Sequence, residues 1–398
     1  MTDTSTANRP ADLIDRAAGL VAGSATHTLR HQRDKVVATA QLSHDAMLDP
    51  SLTDLSLSHR LLVALYACRL TPSPALAGHY RDRALDAGAD PVLVSLADTG
   101  AAPQAFADPS LRAMMTFARI LTERPTEGDK AALMQLPAAG LSTPSTVLLA
   151  QLIAFISYQT RLVSGLKALK AAQEDGTLAV SPIADAAPAA DKVGILANEH
   201  LSVGALIEAH GFTNAMLKWR AWLDVVRIDQ ATPEQLAALD AAHQTAKTSD
   251  YYLLLAHQPS ILHTRSTAFN AVMYAPRGLP RAERELGAMA ASRINGCVYC
   301  CSVHSRFFEQ LAKRNDVVAQ LFEDPHTAGA SARDRAIIRF STALTLQPGE
   351  LSAQHLRPLR EAGLTDLEIL DLVHSVAMFG WANRLMANLG EPYLAEAA

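Results

Sequence analysis

The stretch Glu285–His304, ELGAMAASRINGCVYCCSVH, decides how the chain reads. Cys297 and Cys300 stand three residues apart, His304 follows the second by four, and Glu285 precedes the first by twelve. The chain has four cysteines in 398 residues, so three of them (Cys297, Cys300, Cys301) within five positions mark a site rather than background usage. The periodicity predicts a helix from Glu285 to Ile294 with Leu286, Met289, Ala290 and Ile294 on one face. Asn295–Gly296 ends it, glycine being suited to a left-handed C-terminal cap. A second helix begins near Cys297. Cys297, Cys300, His304, Phe307 or Phe308, and Leu311 follow at steps of three or four and share one stripe. Its apolar lower half faces a core, so the sulfurs and the imidazole lie at a partly buried helix start.

That placement has chemical consequences. Unpaired N–H groups and the positive end of the helix dipole favour a thiolate, and lowered acidity is the usual source of reactivity in Cys-x-x-Cys pairs. His304, one turn after Cys300, is placed to take its proton. Glu285 is placed to orient His304, and Cys297 to resolve an oxidised Cys300 as a disulfide. Cys301 points about 100° away from Cys300 on a helix and reads as a packing residue, as does Cys68. A zinc site lacks a second Cys-x-x-Cys. Haem attachment needs His directly after the second Cys, and a thioredoxin-type site needs βαβ surroundings. No cofactor and no metal is therefore expected.

Composition frames the site. Hydrophobic residues make up 49% and charged residues 19%, a globular balance. The net charge of −5, without a long basic run, points to neither nucleic acid nor anionic lipid. The first thirty residues lack the apolar run of a signal peptide, and Val147–Ser157 is too short to span a bilayer. A cytoplasmic protein is expected. There a Cys-x-x-Cys is more often catalytic than a structural staple.

Helical periodicity recurs throughout, so the chain reads as all-α. Thr365 and Glu368 have capping-box spacing, and Thr143–Pro144 reads as an N-cap followed by proline. The sequence also repeats. A shift of 223 lays Arg112, Ala113, Phe117, Leu121, Thr122 and Pro125 on Arg335, Ala336, Phe340, Leu344, Thr345 and Pro348, and Arg161–Leu162 on Arg384–Leu385. A shift of 225 lays Arg60–His79 on the site, with Arg60 answering Glu285, Pro72 and Ala75 answering the thiols, and His79 answering His304. This predicts a tandem duplication whose first copy has lost the Cys-x-x-Cys: residues 11–172, a linker at 173–192 rich in Ala, Asp and Pro, and residues 193–398.

The four-point spacing Glu285, Cys297, Cys300, His304 resembles the alkylhydroperoxidase D-like branch of the carboxymuconolactone decarboxylase superfamily, and the tandem is similar to its double-domain, peroxidase-related members. The resemblance implies an all-helical fold that assembles into oligomers, here a dimer or trimer. It implies a peroxidatic Cys300, a resolving Cys297 and a proton relay through Glu285 and His304. It also implies a peroxide substrate and reduction by a dithiol donor such as a lipoylated or thioredoxin-like protein. Tyr299 stands where such a relay can hold a further His. The expected function is thus a thiol peroxidase acting on hydrogen peroxide or organic hydroperoxides. The alternatives are a redox-sensing protein or thiol-disulfide oxidoreductase, and a decarboxylase-type lyase.

Overall fold

The structure, a computed structural model, describes residues 12–175 and 204–394. Most of the expected linker, residues 176–192, lies outside the described residues. Among the described residues, α-helices occur in two runs of nine. The first run is α1 (Leu13–Ala18), α2 (Ala25–His31), α3 (Asp34–Met47), α4 (Leu57–Leu70), α5 (Pro74–Asp86), α6 (Pro91–Asp98), α7 (Pro109–Glu123), α8 (Lys130–Ala138) and α9 (Thr143–Glu174). The second is α10 (Pro233–Ala242), α11 (Asp250–Leu255), α12 (Pro259–Met273), α13 (Arg281–Ile294), α14 (Val298–Ala312), α15 (Asn315–Glu323), α16 (Ala332–Leu346), α17 (Arg357–Glu361) and α18 (Asp366–Asn388). Two short antiparallel strand pairs complete the second half: β1 (Glu208–Ala209) with β2 (Phe212–Thr213), and β3 (Leu217–Ala221) with β4 (Gly390–Leu394).

The two runs are one fold used twice. Helices α4 and α13 begin 224 residues apart (57 and 281), and α9 and α18 begin 223 apart (143 and 366). Their polar contacts repeat as well. Arg112 donates to the carbonyls of Phe106 and Ala107, and Arg335 to those of Gly329 and Ala330, each 223 residues on. The chain is thus an all-α tandem duplication whose first copy lacks the Cys-x-x-Cys.

The register at the site differs by one residue from the sequence expectation. Arg60 buries its guanidinium against the carbonyls of Met47, Asp49, Leu52 and Leu55. Arg284 does the same against Met273, Ala275 and Arg277, so Arg284, not Glu285, is the counterpart of Arg60. Ser73 and Cys297 both precede a helix, and their amides donate to Cys68 and Ser292, 224 residues apart. Glu285 is therefore answered by Leu61, Cys297 by Ser73, Cys300 by Leu76 and His304 by Tyr80. His79 packs beside His44 and Tyr80 instead.

Local rules account for most helix ends. The capping box of Thr365 and Glu368 opens α18 as expected. At α9 the cap is Ser142, one residue before Thr143, with its hydroxyl accepting from the Ser145 amide. Leu311, read as the core-facing end of the site stripe, is instead 44% exposed, because α14 runs out of the core there.

The halves are fused through α9 and α18. A Cβ on Gly165 would lie 2.4 Å from Val373 Cγ1, so the backbones cross at a distance only glycine permits. Arg161 of α9 donates to Thr345 O at the end of α16 (2.6 Å), and Arg384 of α18 donates to Leu121 O at the end of α7 (2.7 Å). A buried triad adds to this: Asp371 holds Arg33 from the first half (2.7 Å) and Arg284 from the second (3.0 Å). Helix α9 is long and apolar enough to cross a membrane, but it is buried inside this fold.

Gly165→Val would force two valine side chains into one space at the crossing. Overpacking of this kind costs about 1–3 kcal/mol. The expected readout is a lower urea midpoint with an unchanged slope; an unaltered midpoint would mean the two helices do not meet there.

Candidate active site

The site is built by α13 and α14 and closed by α11, α12 and α18. Gly296, at φ +71°, makes the left-handed turn that ends α13, and Cys297 occupies the N-cap position of α14. The turn folds α14 back along α13, which brings His304 over Glu285 although they are 19 residues apart. His304 Nδ1 and Glu285 Oε2 are 2.5 Å apart, and Glu285 is fully buried. The other carboxylate oxygen accepts from the Arg281 guanidinium, one helical turn earlier. Burial works against ionisation of Glu285. The charges of Arg281 and His304, with their hydrogen bonds, override it and hold the carboxyl below its ordinary range.

Arg281 is in turn held over the Tyr274 ring at 4.0 Å. His304 meets Phe379 edge-to-face with centroids 4.4 Å apart. With Nδ1 committed to Glu285, Nε2 is the ring nitrogen left for chemistry.

Cys300 and His304 line a cavity of about 170 Å³, together with Tyr299 and aromatic side chains from α11, α12 and α18. Glu285 and Cys297 lie behind that wall: the lining residues include neither, and they are 0% and 1% exposed. The two thiols thus occupy different places, one facing the cavity and one enclosed. The expectation of an acidified helix-start thiol fails for Cys297. Burial, then contact with the Cys300 thiol, pushes it well above the ordinary thiol value and outweighs the opposing hydrogen bond from the Cys300 backbone amide.

The four sequence-predicted residues are therefore assembled in one place: Glu285 on His304, His304 and Cys300 on one cavity wall, and Cys297 at the turn beneath. Cys301 points away, its thiol 3.9 Å from Met289 O, and burial keeps it protonated. Burial also pushes the Tyr299 phenol up to about 12, so it stays neutral. All four cysteines are free thiols. Trp381 is fully buried and donates to Gln151 Oε1 of the first half.

Sequence reasoning missed Arg281, Arg265 and Phe379. Arg281 had a usable signal, its i,i+4 spacing to Glu285. The other two come from distant helices and had none.

The stability held in Glu285 has a definite pH signature. A carboxyl with a lowered folded-state pKa stabilises fully above its unfolded value of about 4.5 and loses that contribution as pH falls through the folded value. The stability gap between wild type and Glu285→Gln, followed by urea denaturation, is expected to be widest near neutrality and to shrink in acid. A gap that does not change with pH would mean the carboxylate is not ion-paired.

No curated protein is detectably similar to the chain. Among solved structures it is similar to an alkylhydroperoxidase AhpD core, an uncharacterized peroxidase-related protein from Ralstonia eutropha JMP134, with 25% identity and a TM-score of 0.38 over 44% of this chain and 92% of that one. It is also similar to an uncharacterized peroxidase-related protein from Silicibacter sp. TM1040, with 23% identity and a TM-score of 0.37 over 43% of this chain and 92% of that one. Residues 259–324, which run from α12 through α14 and include Glu285, Cys297, Cys300 and His304, match the carboxymuconolactone decarboxylase family, and the chain carries a domain of that family there.

Proposed function

We propose that this protein is a thiol peroxidase that reduces hydroperoxides with the Cys297/Cys300 pair. The observation that carries the reading is the division of labour at the cavity. One sulfur and one imidazole face it, and the carboxylate and the second sulfur stand behind them. In the first step Cys300 thiolate attacks the terminal peroxide oxygen. The O–O bond breaks, Cys300 becomes a sulfenic acid, and the leaving alkoxide takes a proton supplied through His304 to depart as the alcohol.

Glu285 and Arg281 act through His304. They fix its ring and balance the charge that passes through it. In the second step the Cys297 thiol condenses with the sulfenic acid, giving a disulfide and one water. Protection of Cys297 as a neutral, enclosed thiol suits this role, since it keeps the second sulfur from meeting peroxide first. In the third step an external dithiol, on a lipoylated or thioredoxin-like partner, reduces the disulfide and leaves as its own disulfide. The chemistry needs no cofactor, and the reducing cytoplasm supplies such donors. Residues 11–172 serve as scaffold and 193–398 as the catalytic half, in a homo-oligomer.

Three variants test the scheme. Cys300→Ser is expected to abolish hydroperoxide consumption without altering the fold. Cys297→Ser is expected to stop after one equivalent, with a sulfenic acid on Cys300 detectable by mass spectrometry. His304→Gln is expected to slow the first step by about 10²–10⁴-fold. Undiminished turnover in Cys300→Ser would reject the peroxidase, and a single oxidation that no dithiol resets would favour a redox sensor.

A further inference from the structure

Arg265 of α12 lines the same cavity as Cys300 and is 5% exposed. A guanidinium this deep is ordinarily paired. Here Nε is buried without a hydrogen-bond partner, and among the described residues no carboxylate or carbonyl accepts from either Nη. What holds the group is aromatic: it lies over the Tyr251 ring at 5.3 Å and the Trp381 ring at 5.8 Å. Contacts through the face of the guanidinium fix its position and leave its N–H fork unused.

The surroundings point the same way. Tyr251 Oη and Ser266 Oγ, on two other residues of the wall, are also buried without partners. The described lining residues include Arg265 and Arg281 and no Asp or Glu, and of these two arginines only Arg281 has a carboxylate, Glu285. The cavity therefore holds one uncompensated cation beside unpartnered donors. Helix α3, at the matching place in the first copy, contains no arginine.

We propose that Arg265 makes this cavity a receptor for a carboxylate, so that the substrate is a small organic hydroperoxide bearing a carboxylate away from its O–O bond. This rests on the peroxidase reading for the word hydroperoxide, but not for the carboxylate site itself. A planar fork with five donors matches a carboxylate in two parallel hydrogen bonds, and desolvation strengthens the pair. Size limits the rest of the molecule. About 170 Å³ is on the scale of a cavity that accepts one aromatic ring, and the wall of Phe269, Tyr274, Phe307 and Phe379 suits an apolar body. The carboxylate is not consumed. It anchors the substrate so that the peroxide end meets Cys300.

The test uses cumene hydroperoxide and its para-carboxylate, which differ only in the anion, together with 4-isopropylbenzoate, which carries no peroxide. On the full chain, kcat/KM is expected to favour the carboxylated peroxide by about tenfold or more, the scale of one charge-assisted pair. Arg265→Gln is expected to bring that ratio close to one and to weaken calorimetric binding of 4-isopropylbenzoate by a similar factor. Arg265→Lys is expected to restore part of both, which a merely structural arginine would not produce. Circular dichroism confirms that each variant is folded. Equal binding of 4-isopropylbenzoate by wild type and Arg265→Gln would overturn the carboxylate site, as would turnover of both peroxides without an Arg265-dependent preference. Arg265-dependent binding in a protein that consumes neither peroxide would uphold the carboxylate site and reject the peroxidase.

Discussion

The fold depends on two buried arginines that reach across the molecule. Arg161 ends in the last turn of α16, and Arg384 in the last turn of α7. Helix C-termini leave carbonyls without partners and carry the negative end of the dipole. Each half therefore caps a helix of the other with a cation, and neither arginine needs a carboxylate. Burial pushes Arg161 down to about 10 and Arg384 well below its ordinary value, since the crossing shields both guanidiniums from water. Removing either half would uncap a helix end of the other and bare the apolar faces of the α9–α18 crossing to water, so the copies are mutually dependent parts of one core.

Within this shared frame the copies diverge through a few volumes. In the first, Leu61 and Leu76 fill the places of Glu285 and Cys300. Tyr80 takes that of His304 and donates its hydroxyl to Gln159. The residue 223 positions after Gln159 is Ala382, which lines the cavity of the second copy. A long side chain that plugs and satisfies the first site is thus a methyl group in the second. Ala382 leaves room there, while Phe379 and Met386 of the same helix wall the cavity. In the first copy the places of the acid, the thiol and the imidazole are thus all taken by buried packing side chains.

Much of this was legible in the sequence because it is periodic. The step of four along α14 places Cys300 and His304 on one side whatever surrounds them, while Cys297, at the N-cap, is turned behind the cavity wall, and the 223-residue echo survives because it consists of capping arginines and core positions. The register slipped by one residue near the site because matched loops differ in length. The offset runs from 225 at α3 and α12, through 224, to 223 at α9 and α18, and the chance pairing of His79 with His304 favoured the wrong value. The pairing of β3 with β4 joins segments far apart in the chain and leaves no local pattern. Helix α9 shows no polar stripe because it is enclosed on all sides, so it reads as an apolar run. The burial of Arg265 had no signal at all, since it is decided by α11 and α18.

The same enclosure explains why the site can be rigid. Glu285 is fixed by Arg281 on its own helix, and α13 is fixed at its start by the bond of Arg284 to Asp371, which Arg33 of the first half also grips. The Leu279 amide adds a third donor to that carboxylate at 2.9 Å. Asp371 lies on α18, the helix that also supplies Phe379 against His304 and Trp381 beneath Arg265. One helix, locked to the first half by Arg384, therefore sets the imidazole from one side and the unpaired guanidinium from the other. A peroxide held between them would have its reacting oxygen placed by parts that cannot shift independently, and such placement is where most of the benefit of a preorganised site lies.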